Sequence, residues 1–131
     1  MVAAIDSFLN KVPAEIKVNF DNELISERLS IHIENSTYRI VKELVNNSLK
    51  HAQASNLKIK LTEKNNYLYL VFSDNGIGFD LSELTLNKSK GMGFSNIISR
   101  AKALNGIYEF QAKPGKGFSF KIKIPIDQTT E

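Results

Sequence analysis

The sequence contains no cysteine, and it has no apolar run of the roughly 18 residues that a membrane-spanning helix requires. Without cysteine, disulfide bonds and thiolate metal sites are excluded, which is compatible with a reducing compartment. The first residues, Met1 to Ala4, also lack the basic start and the long apolar stretch of a signal peptide. We therefore expect cytoplasmic localisation and no contact of this chain with a membrane.

A strong charge of one sign is absent as well. The formal net charge is +3 over 131 residues, which is compatible with an acidic or phosphorylated partner but does not predict direct binding of nucleic acid. Apolar residues at 42% and charged residues at 24% lie near the averages of globular proteins, which argues against a disordered chain. The length therefore fits one ordinary domain with a hydrophobic core.

Hydrophobic periodicity predicts helices interleaved with β-hairpins. Helical spacing marks residues 36–52, with Ser36 as the N-cap, and residues 94–104, which end at Gly106. The other predicted elements are a short helical segment at 4–12, a strand at 15–20 with a turn at 21–22, and hairpins formed by 57–61 with 67–72 and by 107–112 with 118–124. This order predicts an α/β (α+β) two-layer sandwich, in which helices cover one face of a mixed, mostly antiparallel sheet.

Three places depart from these local rules, and the first lies inside the helix predicted at 36–52. Asn46, Asn47 and Ser48 occupy its middle, where their side chains compete with the helix for backbone hydrogen bonds. At about 100° per residue, Glu43, Asn47 and Lys50 share one face. An acid, an amide and an ammonium together can hold Mg²⁺ and phosphates, since Mg²⁺ takes oxygen ligands and keeps several waters. The alternative is a solvated helix face.

The second place is Asp74-Asn-Gly-Ile-Gly78, which follows a predicted core strand without a partner strand after it. Asn-Gly most often marks a tight turn. The other interpretation is a pocket for a nucleotide base, in which the carboxylate accepts from an exocyclic amine and glycines let the base lie against the backbone.

The third place is Gly91-Met92-Gly93, which opens the helix predicted from Phe94. A glycine-rich helix start offers unpaired N–H groups and the positive end of the helix dipole, and both favour an anion. It is neither the dinucleotide fingerprint nor a P-loop, because neither spacing is present. A glycine hinge beside a loop is the alternative.

Taken together and in this order, the three motifs resemble the catalytic ATP-binding domain of sensor histidine kinases, a branch of the gyrase–chaperone–histidine-kinase–mismatch-repair ATPase superfamily. The segment from Glu43 to Ala52 resembles its asparagine box, 74–79 its first glycine box, 91–93 its second, and 115–120 its closing glycine-aromatic strand. The resemblance covers about residues 15–126 and implies the Bergerat-type fold. The details of the asparagine box and the short segment between the glycine boxes resemble the subfamily that pairs with helix-turn-helix response regulators.

The resemblance implies a role for each matching residue, with ATP and Mg²⁺ as cofactors. Asn47 would hold Mg²⁺, Asp74 would accept from the adenine amine, and Glu43 would act in catalysis or as a further Mg²⁺ ligand. Residues 80–90, including Lys88, would form a lid over the nucleotide. The full ATP-binding set implied is Asn47, Lys50, His51, Asp74, Gly76, Ile77, Gly78, Lys90, Gly91, Met92, Gly93, Phe94 and Ser119. Phe118 stands where the family often has threonine, so the hydroxyl contact near the phosphates would be either missing or supplied by Ser119.

The family's phosphate-accepting histidine lies on an upstream dimeric hairpin, and we expect that hairpin to be absent from this chain. His51 belongs to the implied ATP site, and His32 lies in an alternating segment that predicts a strand, so we expect a structural histidine there. The implied division is a linker or helix remnant at 1–13, the catalytic ATP-binding domain at 14–126 and a C-terminal tail at 127–131.

The implied partners are the histidine-containing dimerisation domain of the same protein and the receiver domain of a response regulator. The parent protein would be a cytoplasmic sensor or a membrane-bound sensor with this domain in the cytoplasm. Two alternatives share the motifs. One is a serine kinase that binds a sigma factor, and the other is a nucleotide-binding interaction module without transfer activity.

Overall fold

The computed structural model of the chain describes residues 1–77, 94–112 and 115–126. The elements within these ranges are α1 (Val2–Leu9), β1 (Lys17–Glu23), α2 (Ile31–Asn47), a π-helical turn (Ser48–Ala52), β2 (Asn56–Lys64), β3 (Tyr67–Asp74), α3 (Phe94–Ala103), β4 (Ile107–Ala112) and β5 (Phe118–Pro125). The strands form one sheet in the order β1-β2-β3-β5-β4, in which β1 and β2 are parallel and the other neighbours are antiparallel. No helix within the described ranges is long and apolar enough to cross a membrane.

The core lies between one face of the sheet and the helices. Alternate residues of β2, β3 and β5 are buried, as period-2 strands with one covered face require. The same cluster includes the apolar residues of α2 and α3, and Ile5 of α1 is also fully buried in it. Burial of one such side chain stabilises the fold by about 1.5–3 kcal/mol. The predicted mixed, mostly antiparallel sheet with helices on one face is therefore confirmed.

Asparagines occupy the turn between β2 and β3 and the end of α3, and both places agree with the predicted boundaries. Asn65 and Asn66, the two residues between β2 and β3, have φ of 54° and 66°, which suits a two-residue hairpin and a side chain that tolerates the left-handed region. After α3, Asn105 has φ of 57° and the Gly106 N–H donates to the Ala101 carbonyl at 2.9 Å. The left-handed residue is thus Asn105. Gly106 leaves room for the core, because a Cβ atom there would lie 2.6 Å from Ile122 Cδ1 and would require the Ile122 side chain to shift.

The first strand differs from its prediction. The turn predicted at 21–22 is wrong, because β1 continues through these residues to Glu23, which pairs with Thr62 of β2. Turn-favouring residues are accommodated here because the parallel ladder with β2 pairs one side of the backbone of this edge strand. A parallel pair needs a crossover connection, and α2 supplies it.

The helix predicted at 36–52 begins earlier and changes type before its end. Ser30 is the N-cap, since its hydroxyl accepts from the Ile33 N–H at 3.2 Å, so Ser36 is a buried residue within the helix. The strand predicted around His32 is consequently wrong. This histidine lies exposed in the first turn of α2, with Nε2 3.3 Å from the Ala103 carbonyl oxygen. At the other end, α2 stops at Asn47 and the π-helical turn follows.

A buried carboxylate fixes the start of α2. Glu34 is 5% exposed and accepts from Arg28 Nη2 at 2.8 Å, Arg28 Nε at 3.1 Å and the Leu29 N–H at 2.9 Å. Burial alone would raise the pKa of Glu34. The hydrogen bonds from Arg28 and Leu29, together with the charges of the N-terminal ammonium and Arg28, outweigh it, so the pKa is lowered. The ionised form of Glu34 therefore stabilises the fold.

We predict that Glu34→Gln lowers the free energy of unfolding at pH 7 by about 1.5–3 kcal/mol, the range for hydrogen bonds to a charged group. The folded-state pKa is below the unfolded value near 4.5, so this contribution is present above pH 4.5 and disappears as the pH falls through the folded-state pKa. Urea unfolding at pH 7 and pH 3 would measure it, with the exposed neighbour Glu27→Gln as control. A stability loss for Glu34→Gln of the same size at both pH values would contradict this role.

Candidate functional site

Two of the three sequence motifs meet at the end of β3. Asp74 is the last residue of β3, and Ser48 is the first residue of the π-helical turn that follows α2. The Ser48 hydroxyl donates to Asp74 Oδ2 at 2.5 Å, and Ser48 is 2% exposed. The fold therefore brings the segment that resembles the asparagine box against the segment that resembles the first glycine box.

The other oxygen of Asp74 is held by the backbone. Oδ1 accepts from the Gly76 N–H at 2.9 Å and from the Phe118 N–H at 3.2 Å. A carboxylate offers about four acceptor positions, so these two donors and Ser48 leave about one for a ligand. A carboxylate fixed by donors on both oxygens is well suited to accept from an amine, which is the role predicted for Asp74.

The turn before β5 approaches Asp74 from the other side. Gly117 has φ of +80°, and a Cβ atom there would collide with the Asp74 carbonyl oxygen, so this position requires glycine. The Gly115 N–H donates to the Ile77 carbonyl, which joins the same turn to the segment after β3. The predicted closing glycine-aromatic segment thus lies beside the first glycine box.

Asn75 has a structural role next to Asp74. Its Oδ1 accepts from the N–H groups of Ser55 and Asn56, both at 2.9 Å, and its Nδ2 donates to the Ser55 hydroxyl at 2.9 Å. These bonds anchor the start of the segment that follows β3 to the start of β2. Asp74 is thereby kept at the sheet edge while the residues after it leave the sheet.

Asn47 is the last residue of α2 and is half-buried. Its Nδ2 atom is buried and has no hydrogen-bond partner among the residues that the structure describes. Rotation of the amide by half a turn would place its oxygen at this unpaired position. Half-buried Glu43 lies one turn before it, whereas exposed Lys50 lies in the π-helical turn, where the α-helical spacing that aligned it with Asn47 does not apply.

The residues near Asn47 fit a magnesium site in which phosphates and water would supply most of the ligands. Within the described residues, no group of three or more histidine, aspartate or glutamate side chains could hold a metal ion. Mg²⁺ does not need such a cage, because it is commonly bound through one or two protein oxygens together with phosphates and water. Asn47 would provide one such oxygen through its side-chain amide.

The structure describes three further predicted site residues, Ser119, Phe94 and Ile77. Ser119 pairs with Ser73 on the opposite face of the sheet, and the side chain of Phe94 packs in the core, 5.6 Å between ring centroids from Phe118. Ile77 is 49% exposed next to Gly76. The predicted residues outside the described part are Gly78, the lid at 80–90 with Lys88 and Lys90, Gly91, Met92, Gly93 and the side chain of His51.

A cavity of about 550 Å³ also opens at this edge of the sheet. Its described lining residues are Ser73, Asp74, Gln111, Ala112, Lys116, Gly117, Phe118 and Ser119. These come from β3, β4, β5 and the turn before β5, and none comes from α2. The cavity therefore shares Asp74 with the candidate site and includes Ser119, which the sequence predicted as a site residue.

Sequence reasoning missed two donors of this site. The sequence marks Ser48 only as a residue that disfavours a helix, although its place directly after Asn47 is a usable signal. The Phe118 N–H gave no signal, because a backbone donor carries no side-chain identity and lies 44 residues from Asp74 in the chain.

The chain matches the family of histidine kinase-, DNA gyrase B- and HSP90-like ATPases over residues 32–128, and it belongs to that family. It is similar to three proteins of Bacillus subtilis strain 168. Sensor histidine kinase ComP is 34% identical over 88% of this chain and 15% of ComP. The histidine-protein kinase/phosphatase DegS is 31% identical over 86% of this chain and 30% of DegS, and sensor histidine kinase LiaS is 31% identical over 93% and 32%. The chain thus spans less than a third of each relative.

Solved structures share the fold at lower identity. The blue-light activated histidine kinase EL346 of Erythrobacter litoralis superposes with a TM-score of 0.76 at 19% identity, covering 98% of this chain and 41% of that chain. The ATP binding domain of PrrB from Mycobacterium tuberculosis superposes with a TM-score of 0.72 at 16% identity, covering 96% of this chain and 90% of that chain. At these identities the likeness establishes the fold.

We predict that Asp74→Asn weakens ATP binding by about 1.5–3 kcal/mol, because the charge-assisted bond to the adenine amine is lost. The Gly76 and Phe118 N–H groups require an acceptor at the Oδ1 position, so the introduced amide oxygen turns to them and the amide NH₂ faces the base. Discrimination against GTP, which has a carbonyl in place of the amine, should weaken as well.

Calorimetry with ATP and GTP measures both effects, and Asp21→Asn on exposed β1 is the matched control. An unchanged ratio of ATP to GTP affinity in Asp74→Asn would exclude a base-reading role for this carboxylate.

Proposed function

We propose that the chain is the Mg-ATP-binding catalytic domain of a two-component sensor histidine kinase, which donates the γ-phosphate of ATP to a histidine on a separate dimerisation domain. The observation that carries this proposal is the Asp74 carboxylate, held by three donors with about one acceptor position left. Asn47, with an unpaired amide, ends the helix that leads to Ser48. Family membership and the names of the relatives support the kinase class.

Phosphoryl transfer depends chiefly on positioning and charge neutralisation, and the residues divide these tasks. Asp74 would orient the nucleotide by accepting from the adenine amine. Asn47 would hold Mg²⁺ through its amide oxygen, and Mg²⁺ when bound neutralises phosphate charge. Exposed Lys50 would add a positive charge, and half-buried Glu43 would orient a water or assist proton transfer.

The remaining parts of the proposal follow the family resemblance. Lys90, the glycine pair at 91 and 93, and His51 would bind the phosphates, and 80–90 would cover them. The domain would extend over 14–126, with 1–13 as a connection that packs Ile5 into the core of the domain and 127–131 as a tail. Partners would be the dimerisation domain and the receiver domain of a helix-turn-helix response regulator.

The identity of the acceptor separates the proposed kinase from its alternatives. A serine kinase that binds a sigma factor or a module that only binds nucleotide would use the same site. The relatives that the chain resembles are named histidine kinases, which favours a histidine acceptor. Within this chain, His32 lies in the first turn of α2 beside the Ala103 carbonyl and would remain unphosphorylated.

We predict that the chain incubated with radiolabelled ATP and Mg²⁺ does not label itself. When the histidine-bearing dimerisation domain of a similar sensor kinase is added, acid-labile phosphate should appear on that domain. Separation of the products by electrophoresis before and after acid treatment measures both. Acid-labile phosphate on His32 would contradict the separate acceptor, and acid-stable phosphate on an added serine-bearing antagonist would favour the serine kinase.

Asn47→Ala is predicted to weaken binding of ATP in the presence of Mg²⁺ by about tenfold or more, the effect of one lost ligand contact. Adenosine binding and thermal stability should change little, because the Asn47 Nδ2 atom has no described partner to lose. Asn46→Ala, the adjacent half-buried asparagine, is the control. Equal weakening with and without Mg²⁺ would argue against Asn47 as the magnesium ligand.

A further inference from the structure

The hydroxyl of Ser48 has a fixed direction of hydrogen bonding. Asp74 as a carboxylate can only accept, so the 2.5 Å contact requires that Ser48 donates its single proton to Oδ2. Ser48 is 2% exposed, so little water competes for this bond. Its backbone is also held, since its N–H donates to the carbonyls of Leu44 and Val45.

This bond determines what the serine oxygen presents to a ligand. After the proton is donated to Asp74, only lone pairs remain on the serine oxygen. Asp74 and Ser48 therefore form a pair of acceptors without a donor. A ligand group placed against this pair gains a hydrogen bond if it is an amine and meets two electron-rich oxygens if it is a carbonyl.

We propose that Ser48 is a positioning residue that sets base specificity, because its bond to Asp74 makes the site select a purine with an amine at position 6 over one with a carbonyl. The inference rests on the proposed nucleotide-binding function and extends it to a residue outside the predicted set. A serine whose proton was free could rotate and donate to a 6-carbonyl. The bond to Asp74 prevents that rotation and holds Oδ2 in place.

The amide substitution at position 74 reverses the direction of this bond. In Asp74→Asn the backbone donors hold the amide oxygen, so the amide NH₂ faces Ser48 and the serine oxygen becomes the acceptor. The serine proton is then free to donate to a 6-carbonyl. If Asp74→Asn gains affinity for 6-oxo purines, part of that gain should therefore come from Ser48. The effects of substitutions at positions 74 and 48 on base affinity should consequently be non-additive.

The test is calorimetry of the chain with ATP and with inosine triphosphate, which replaces the 6-amine by a carbonyl and adds no 2-amino group. Wild-type chain should prefer ATP. Ser48→Ala should reduce the ratio of ATP to inosine triphosphate affinity by about tenfold, the effect of one charge-assisted hydrogen bond. Ser48→Thr, which keeps a hydroxyl, should restore the ratio. Ser36→Ala, a buried serine about three turns earlier in α2, should leave it unchanged.

A second comparison separates specificity from folding. Ser48→Cys keeps the size of the side chain but is a weak donor, so it should lower the ratio even if Ser48→Ala does not fold. In the Asp74→Asn background, removal of the hydroxyl should weaken inosine triphosphate binding more than ATP binding. Wild-type preference for ATP with an unchanged ratio in the Ser48 variants would overturn the inference and leave the proposed function standing. Absence of ATP binding by wild-type chain would overturn both.

Discussion

The site depends on the hydrogen bonds of one carboxylate, since three separate segments of the chain meet at Asp74. The Gly76 N–H comes from the segment after β3, the Phe118 N–H from the start of β5, and the Ser48 hydroxyl from the end of α2. A carboxylate in a partly buried position is costly unless its oxygens are hydrogen-bonded, and here each segment supplies one donor. The same bonds that satisfy the charge therefore hold a helix end, a strand end and a turn at fixed distances from one another.

The parts of the fold that the sequence predicted are those governed by neighbouring residues. The hairpin at Asn65 and Asn66 and the end of α3 at Asn105 depend on backbone angles that the residues themselves favour. The errors concern β1 and the start of α2. There, pairing with β2 extends a strand through residues that favour turns, and a cap at Ser30 begins a helix in a segment that alternates like a strand. Parallel pairing is decided by tertiary contacts, which local patterns do not contain. The cap at Ser30 is a local contact, but the strand-like alternation after it concealed the helix start.

The candidate site divides in a similar way. Asp74 could be selected because a carboxylate at the end of a core strand is chemically conspicuous, and the amide of Asn47 could be selected because it weakens a helix. Their mutual arrangement could not be predicted, because the bond from Ser48 joins residues 26 apart in the chain and a π-helical turn changes the spacing after Asn47. The solved structures at 16–19% identity share the fold, so the fold itself requires little of the sequence.

The pairing of β3 with β5 places Asp74 opposite Phe118, and in the same register it places Phe72 opposite Phe120 and Leu70 opposite Ile122. A slip of β5 by one residue would turn these apolar side chains towards solvent, because side chains alternate between the two faces of a strand. The penalty for exposing several large side chains is far greater than the strength of one hydrogen bond. The position of the Phe118 N–H is thus fixed by apolar core residues whose side chains do not hydrogen-bond to Asp74. Substitutions of polar residues around the site can therefore change which ligand is bound, while the strand register keeps Asp74 and the Phe118 N–H aligned.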